Sequence, residues 1–120
     1  MKKRLVGVAV VAASALAAVS LAFAGGTTLK LTADKTKLSY STKTLKAHAG
    51  KVTIVMKNMS SIFRHNVAIK GHGVKVKGKV VGHGGTSKVT VTLKPGKYEF
   101  YCTVPGHEAG GMKGTLIVSK

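Results

Sequence analysis

The segment Tyr101-Cys102-Thr103-Val104-Pro105-Gly106-His107-Glu108-Ala109-Gly110-Gly111-Met112 puts a thiol, an imidazole and a thioether into one short loop. Cys102 is the single cysteine of the chain; four residues separate it from His107, and four more separate His107 from Met112. Another histidine, His65, stands upstream in Arg64-His65-Asn66-Val67-Ala68-Ile69. Imidazole suits copper in both oxidation states, whereas thiolate and thioether favour the softer, reduced ion. Two histidines, one cysteine and a weak axial methionine are therefore the donor set of a mononuclear electron-transfer copper centre. A methionine is a poor match for zinc. A lone cysteine makes no internal disulfide, and a free thiol outside a cell is prone to oxidation unless buried or ligated.

Such donors have to be held by a scaffold, and the scaffold reads as β-structure. Apolar residues alternate with Lys and Thr in Leu29–Ala33, in Val52, Ile54 and Met56, and in Val89, Val91 and Leu93. The same period of two runs through Tyr98, Phe100 and Cys102, with Glu99 and Tyr101 on the other face, and Gly114–Val118 reads as a closing strand. Breaks fall at Asn58–Ser61, Lys94-Pro95-Gly96 and the glycines from Gly71 to Gly85, a stretch expected to be edge structure with long turns. Many short strands with regular breaks predict an all-β sandwich or barrel. The alternation places Cys102 on the core face with Phe100, and His65 on the face of Val67 and Ile69. The loop after the cysteine then turns back into a strand beginning near Met112.

The chain opens with Met1-Lys2-Lys3-Arg4, runs apolar from Leu5, and reaches Ala22-Phe23-Ala24 before Gly25. This predicts a cleaved secretory signal over residues 1–24 and a single domain over 25–120, with an uncleaved anchor as the lesser alternative. The expected location is the periplasm, the cell surface or the exterior. The 120 residues carry 20 Lys and Arg against 3 Asp and Glu; losing Lys2, Lys3 and Arg4 takes the net charge from +17 to +14. So basic a domain attracts anionic partners. Nucleic acid is not expected, because the lysines are spread through strand-like segments with no basic helix. An acidic redox protein, an anionic membrane or a cell-wall polymer fits better, and a monomer is expected.

Leu93-Lys94-Pro95-Gly96-Lys97-Tyr98-Glu99-Phe100-Tyr101-Cys102-Thr103-Val104-Pro105-Gly106-His107, closing with Gly111-Met112-Lys113-Gly114, resembles the C-terminal signature of the cupredoxins. These are the small blue copper proteins that include plastocyanin, azurin and auracyanin. Val55-Met56-Lys57-Asn58 and His65-Asn66-Val67 resemble their upstream ligand segment. The resemblance implies a Greek-key sandwich of about eight strands with one type 1 copper, and by position His65, Cys102, His107 and Met112 match the family ligands. The spacing is closer to that of auracyanin than of plastocyanin, and Arg64 stands where the family often has a small residue or proline. Around the ligands, Asn66 and Thr103 are expected to tie the two ligand segments together, and Pro105 has no N–H to offer the sulfur. In cupredoxins the downstream histidine emerges through an apolar patch, here Val104, Pro105, Ala109, Gly110 and Gly111.

These readings predict an exported one-electron carrier that is not an enzyme. Copper storage or delivery is the alternative; the mixed, closed donor set argues against it. A copper oxidase or reductase needs further histidine clusters, and His48, His72 and His83 are isolated and expected at the surface. Met56 and Met59 are expected in core and loop rather than as the axial ligand. A metal-free adhesion domain leaves the Cys/His/Met loop unexplained.

Overall fold

The computed structural model describes residues 26–120, so the expected leader over 1–24 lies outside the described residues. The eight strands are β1 (Thr27–Ala33), β2 (Thr44–His48), β3 (Gly50–Asn58), β4 (Ala68–Gly71), β5 (Val74–Lys77), β6 (Thr86–Leu93), β7 (Gly96–Tyr101) and β8 (Lys113–Ser119). They form a three-stranded sheet in the order β1-β3-β6 and a five-stranded sheet in the order β2-β8-β7-β4-β5. The β1–β3 and β2–β8 pairs are parallel, because the chain crosses from one sheet to the other between β1 and β2 and returns for β3.

The period-two pattern explains which faces meet. On β3, Val52, Ile54 and Met56 are fully buried while Lys51 and Lys57 are exposed. From the opposite sheet, Phe100, Leu116 and Ile69 complete the same core. Burying each such side chain contributes about 1.5–3 kcal/mol. Gly114 is required by a close approach: a Cβ there would collide with the Phe100 ring.

The glycine-rich stretch is edge structure, as expected. It supplies β5 at the margin of the larger sheet. The β4–β5 hairpin turns through His72 and Gly73, both at positive φ (49° and 80°), which suits the right-handed twist of a two-residue hairpin. One strand was not anticipated. β2 has only two inward residues, Leu45 and Ala47, and its partner β8 lies some seventy positions on (Thr44 opposite Thr115).

Register also defines two ends of the sandwich. Thr27 faces Val52 at one end of β1, and Ala33 faces Asn58 at the other. These ends are about 20 Å apart at the rise of a strand. The candidate ligands gather at the Asn58 end.

Candidate metal centre

Two segments build this end of the molecule. The first follows β7. Cys102 comes directly after the strand and is 1% exposed. Val104-Pro105-Gly106-His107 then forms a turn closed by the His107 N–H donating to the Val104 carbonyl at 3.0 Å. Proline sits at its second position and a glycine with φ of 83° at its third, the pattern of a type II turn. The loop next folds onto itself: Gly110 N–H donates to Gly106 O, and Met112 N–H to His107 O, both at 3.0 Å. The Cys102 N–H donates to Met112 O at 3.2 Å, so the first and last residues of the motif are cross-linked by backbone. The Met112 side chain is fully buried.

The second segment carries His65. Its N–H donates to Val81 O (3.0 Å) and its carbonyl accepts from Val81 N–H (2.8 Å) in an isolated bridge. Strict alternation was expected here and does not hold: β4 starts only at Ala68, and His65 to Ile69 are all buried. The reason is Asn66. Its Nδ2 donates to Gly78 O (3.0 Å) and to Thr103 Oγ1 (2.9 Å), and its Oδ1 accepts the Thr103 N–H (2.8 Å). These bonds take the place of a strand ladder and fasten the His65 segment to the residue after Cys102. The Tyr40 hydroxyl completes the join by donating to Asn66 O at 2.6 Å.

The two segments bring His65, Cys102 and His107 together. The two Nδ1 atoms are 3.2 Å apart, and Cys102 Sγ lies 3.8 Å from His65 Nδ1 and 3.6 Å from His107 Nδ1. Burial, with His107 close by, lowers the His65 pKa to about 4, and burial lowers that of His107. Burial raises the Cys102 pKa, while the backbone N–H groups of Asn66 and Val104 pull it back down. The imidazoles are therefore neutral near pH 7, with lone pairs available.

This arrangement fits a metal better than it fits a bare hydrogen-bond cluster. Two neutral imidazole nitrogens facing each other can share one proton at most, so the facing Nδ1 atoms of His65 and His107 cannot both be satisfied by donating to each other. An ion held by both Nδ1 atoms and the sulfur uses all three converging donors at once. Soft thiolate and thioether beside imidazole select copper; Met112, the methionine of the same loop, is fully buried.

Several neighbours were not legible as part of this end. Asn58, fully buried, donates from Nδ2 to Phe63 O (3.0 Å) and Val81 O (2.8 Å), and accepts the Ser60 N–H (2.8 Å). Ser60 Oγ accepts from the N–H groups of Ile62 (3.1 Å) and Phe63 (2.9 Å). The Phe63 ring lies edge-on to His107 (centroids 5.6 Å apart) and 5.9 Å from His65. The available signal was the position of Phe63 two residues before His65, and the turn-forming Asn58 and Ser60.

Around the loop, Pro105, Ala109 and Gly110 are exposed, Val104 and Gly111 half-buried, and His107 is 9% exposed. A groove of about 610 Å³ runs beside them, lined by Lys75, Lys77, Tyr101, Val104, Pro105 and Ala109. Tyr101 departs from the expected alternation: it is buried on the outer face, beneath Lys70, whose Nζ is 4.3 Å from the ring centre. The same Nζ is 2.7 Å from Glu108 and 3.9 Å from Glu99. His48, His72 and His83 are at the surface, Met56 is in the core and Met59 is half-buried.

A small two-sheet β-protein with a buried His–Cys–His cluster and a methionine at one end has the make-up of a type 1 copper protein. The chain belongs to the plastocyanin/azurin family of copper-binding proteins, whose family model matches residues 27–119. No protein with a curated description matches it by sequence. Among solved structures it is similar to the dithionite-reduced auracyanin of the photosynthetic bacterium Roseiflexus castenholzii, at 29% identity and a TM-score of 0.71. That match covers 78% of this chain and 97% of that one. Auracyanin A of Chloroflexus aurantiacus, described as a blue copper protein, matches at 24% identity and a TM-score of 0.67, covering 78% of this chain and 100% of that one. An azurin of Methylomonas sp. strain J matches at 18% and 0.63, covering 78% and 98%. The last two likenesses speak to the fold alone. The cofactor of the site is copper.

Proposed function

We propose that the protein is a one-electron carrier, exported from the cytoplasm, in which His65, Cys102, His107 and Met112 would hold a single copper ion. The observation that carries this reading is the buried His65–Cys102–His107 triangle, whose donor atoms lie within 4.8 Å of one another. The hydrogen bonds of Asn66 hold the His65 segment against the residue after Cys102, and ligands fixed in this way need little rearrangement when charge on a metal changes. When bound, the copper supplies reversible Cu(I)/Cu(II) cycling. The chain's own residues do the rest. Asn66, Thr103 and Tyr40 keep the two ligand segments in register. The N–H groups of Asn66 and Val104 stabilise negative charge on the sulfur, which raises the reduction potential. Phe63 covers both imidazoles and keeps water from them.

The burial of all four side chains supports a carrier over a storage or delivery protein, which needs a ligand that can be handed over. His107 is the ligand nearest the surface, and the patch of Val104, Pro105, Ala109, Gly110 and Gly111 is where we place a partner. The excess of lysine suits an acidic redox protein and makes the rate fall with salt. We read the working protein as a monomer of residues 25–120, released from its leader in the periplasm or at the cell surface, with no catalytic reaction of its own.

Adding Cu(II) to the purified protein tests the reading. An intense blue thiolate-to-copper absorption is expected, and Cys102→Ser is expected to abolish it. A colourless copper-loaded protein, or a variant that stays blue, overturns the assignment.

A further inference from the structure

The side-chain bonds of Asn66 tie the His65 segment to the Cys102 side of the centre, and they do not reach the loop that carries His107. That loop is closed on itself: Gly110 N–H donates to Gly106 O, Gly111 N–H to Glu108 O and Met112 N–H to His107 O. Among the described residues, and apart from the His107 imidazole, Glu108 is the one residue of 104–111 whose side chain makes a polar bond to the rest of the chain.

The partner of Glu108 is Lys70. Lys70 stands within β4, five residues after His65, and is paired on both sides, with Lys75 of β5 and Glu99 of β7. The strand is therefore a firm base for a long side chain. Its ammonium passes 4.3 Å from the centre of the Tyr101 ring, the residue before Cys102, and ends 2.7 Å from the carboxylate of Glu108, the residue after His107. Glu99 lies 3.9 Å from the same Nζ. One side chain, rooted in the strand that continues from one ligand, thus reaches the chain neighbours of two others. The bond to Glu108 holds the Lys70 pKa above the usual lysine range, so the ammonium is charged at neutral pH. Lys113 acts on the same two carboxylates through its charge, and Lys70 is the cation that bonds to them.

An exposed ion pair by itself contributes little. Three conditions raise the weight of this one. The bond is short and charge-assisted. The ammonium lies over an aromatic face. It also sits between two carboxylates that would otherwise repel each other. Resting on the copper reading, we propose that Lys70 is a positioning residue for His107: a clasp on the outer face of the larger sheet that holds the 104–111 loop to β4 and so fixes the His107 imidazole relative to that of His65. The clasp works on the side of the centre that Asn66 leaves untied, and it makes the geometry of the centre sensitive to ionic strength.

Amide exchange in the metal-free protein reads the clasp directly, through the Gly110 and Met112 N–H groups that close the loop. Lys70→Met removes the charge and keeps the length, and Glu108→Gln removes the partner's charge. Both side chains are partly exposed (38% and 32%), so the fold is expected to persist. Each variant is expected to speed exchange of both amides about threefold, and the double variant no more than either single one, since both remove the same bond. Lys70→Arg is expected to keep the parent rates, and about 1 M salt to bring the parent close to the variants. With copper bound, the blue absorption is expected to shift in the same direction in both single variants, because both release the same ligand. The two substitutions change the local charge in opposite senses. An effect of charge alone would therefore move the reduction potential in opposite directions and leave amide exchange untouched. That pattern, or parent-like exchange in both single variants, overturns the clasp while leaving the copper reading in place. A parent protein that stays colourless with copper overturns the copper reading, and with it the role of Lys70 in placing a ligand, whatever the exchange rates.

Discussion

The two ends of the sandwich are built on different physical principles. The buried polar residues, Asn58, Ser60, His65, Asn66, Ser87 and His107, belong to the metal end and its immediate supports. There the strands stop pairing regularly, and side-chain amides and hydroxyls take over the backbone partners: Asn66 for Thr103 and Gly78, Asn58 for Phe63 and Val81, Ser87 Oγ for the Val67 N–H. The rest of the core is apolar, from Val52 and Leu93 through Ile54 to Leu116 and Val118. One part is held by packing, which tolerates approximate fit. The other is held by directional bonds, which fix positions to a fraction of an ångström and fail when one partner is removed.

This contrast can be broken from either side. The largest effect on stability is expected in the apolar part. Ile54→Ala leaves a cavity in the middle of β3 and is expected to cost about 2–5 kcal/mol. The folded fraction should bind copper with an unchanged absorption spectrum. Urea unfolding together with the visible spectrum checks both halves; a shifted blue band would show that the two parts are mechanically coupled. Asn66→Ala reverses the pattern. It removes three hydrogen bonds and is expected to cost about 2 kcal/mol, while copper affinity falls and the reduction potential moves, as measured by copper titration and voltammetry. An unchanged affinity and potential would deny Asn66 any part in holding the ligands.

A smaller effect follows from charge. The His65 pKa is lowered from 6.5 to about 4 in the folded, metal-free protein. Between these values the unfolded chain binds a proton that the folded chain does not, so unfolding becomes easier as pH falls. The stability of metal-free protein is therefore expected to be level near neutral pH and to decline as pH falls from about 6.5 towards about 4. His65→Ala should flatten that decline, as read by thermal unfolding across the range.

The same contrast explains what could be read in advance. Cys102, His107 and Met112 announce themselves because their arrangement is local: a Pro-Gly turn and a short loop bring them together within eleven residues of chain. Strands such as β3 and β6 are legible because one face is greasy and the other is Lys and Thr. What stayed hidden depends on segments distant in sequence. β2 becomes a strand through a parallel partner near the C-terminus. Tyr40 and Asn58 look like ordinary loop residues until their bonds to Asn66, Phe63 and Val81 are seen. Tyr101 looks outward by period two and is nevertheless covered, because Lys70 on the adjacent strand lies across it. His65 escapes the alternation for a related reason, since Asn66 beside it bonds through its side chain to Gly78 and Thr103 in loops instead of continuing a strand ladder.

The register of β1 has an orientational consequence. Thr27 sits beside Val52, at the opposite extremity from Asn58 and the histidines. Any leash, natural or engineered, attached ahead of Gly26 would hold the molecule by its tail. The end that carries His65, Cys102 and His107 would be left facing outward, away from the point of attachment.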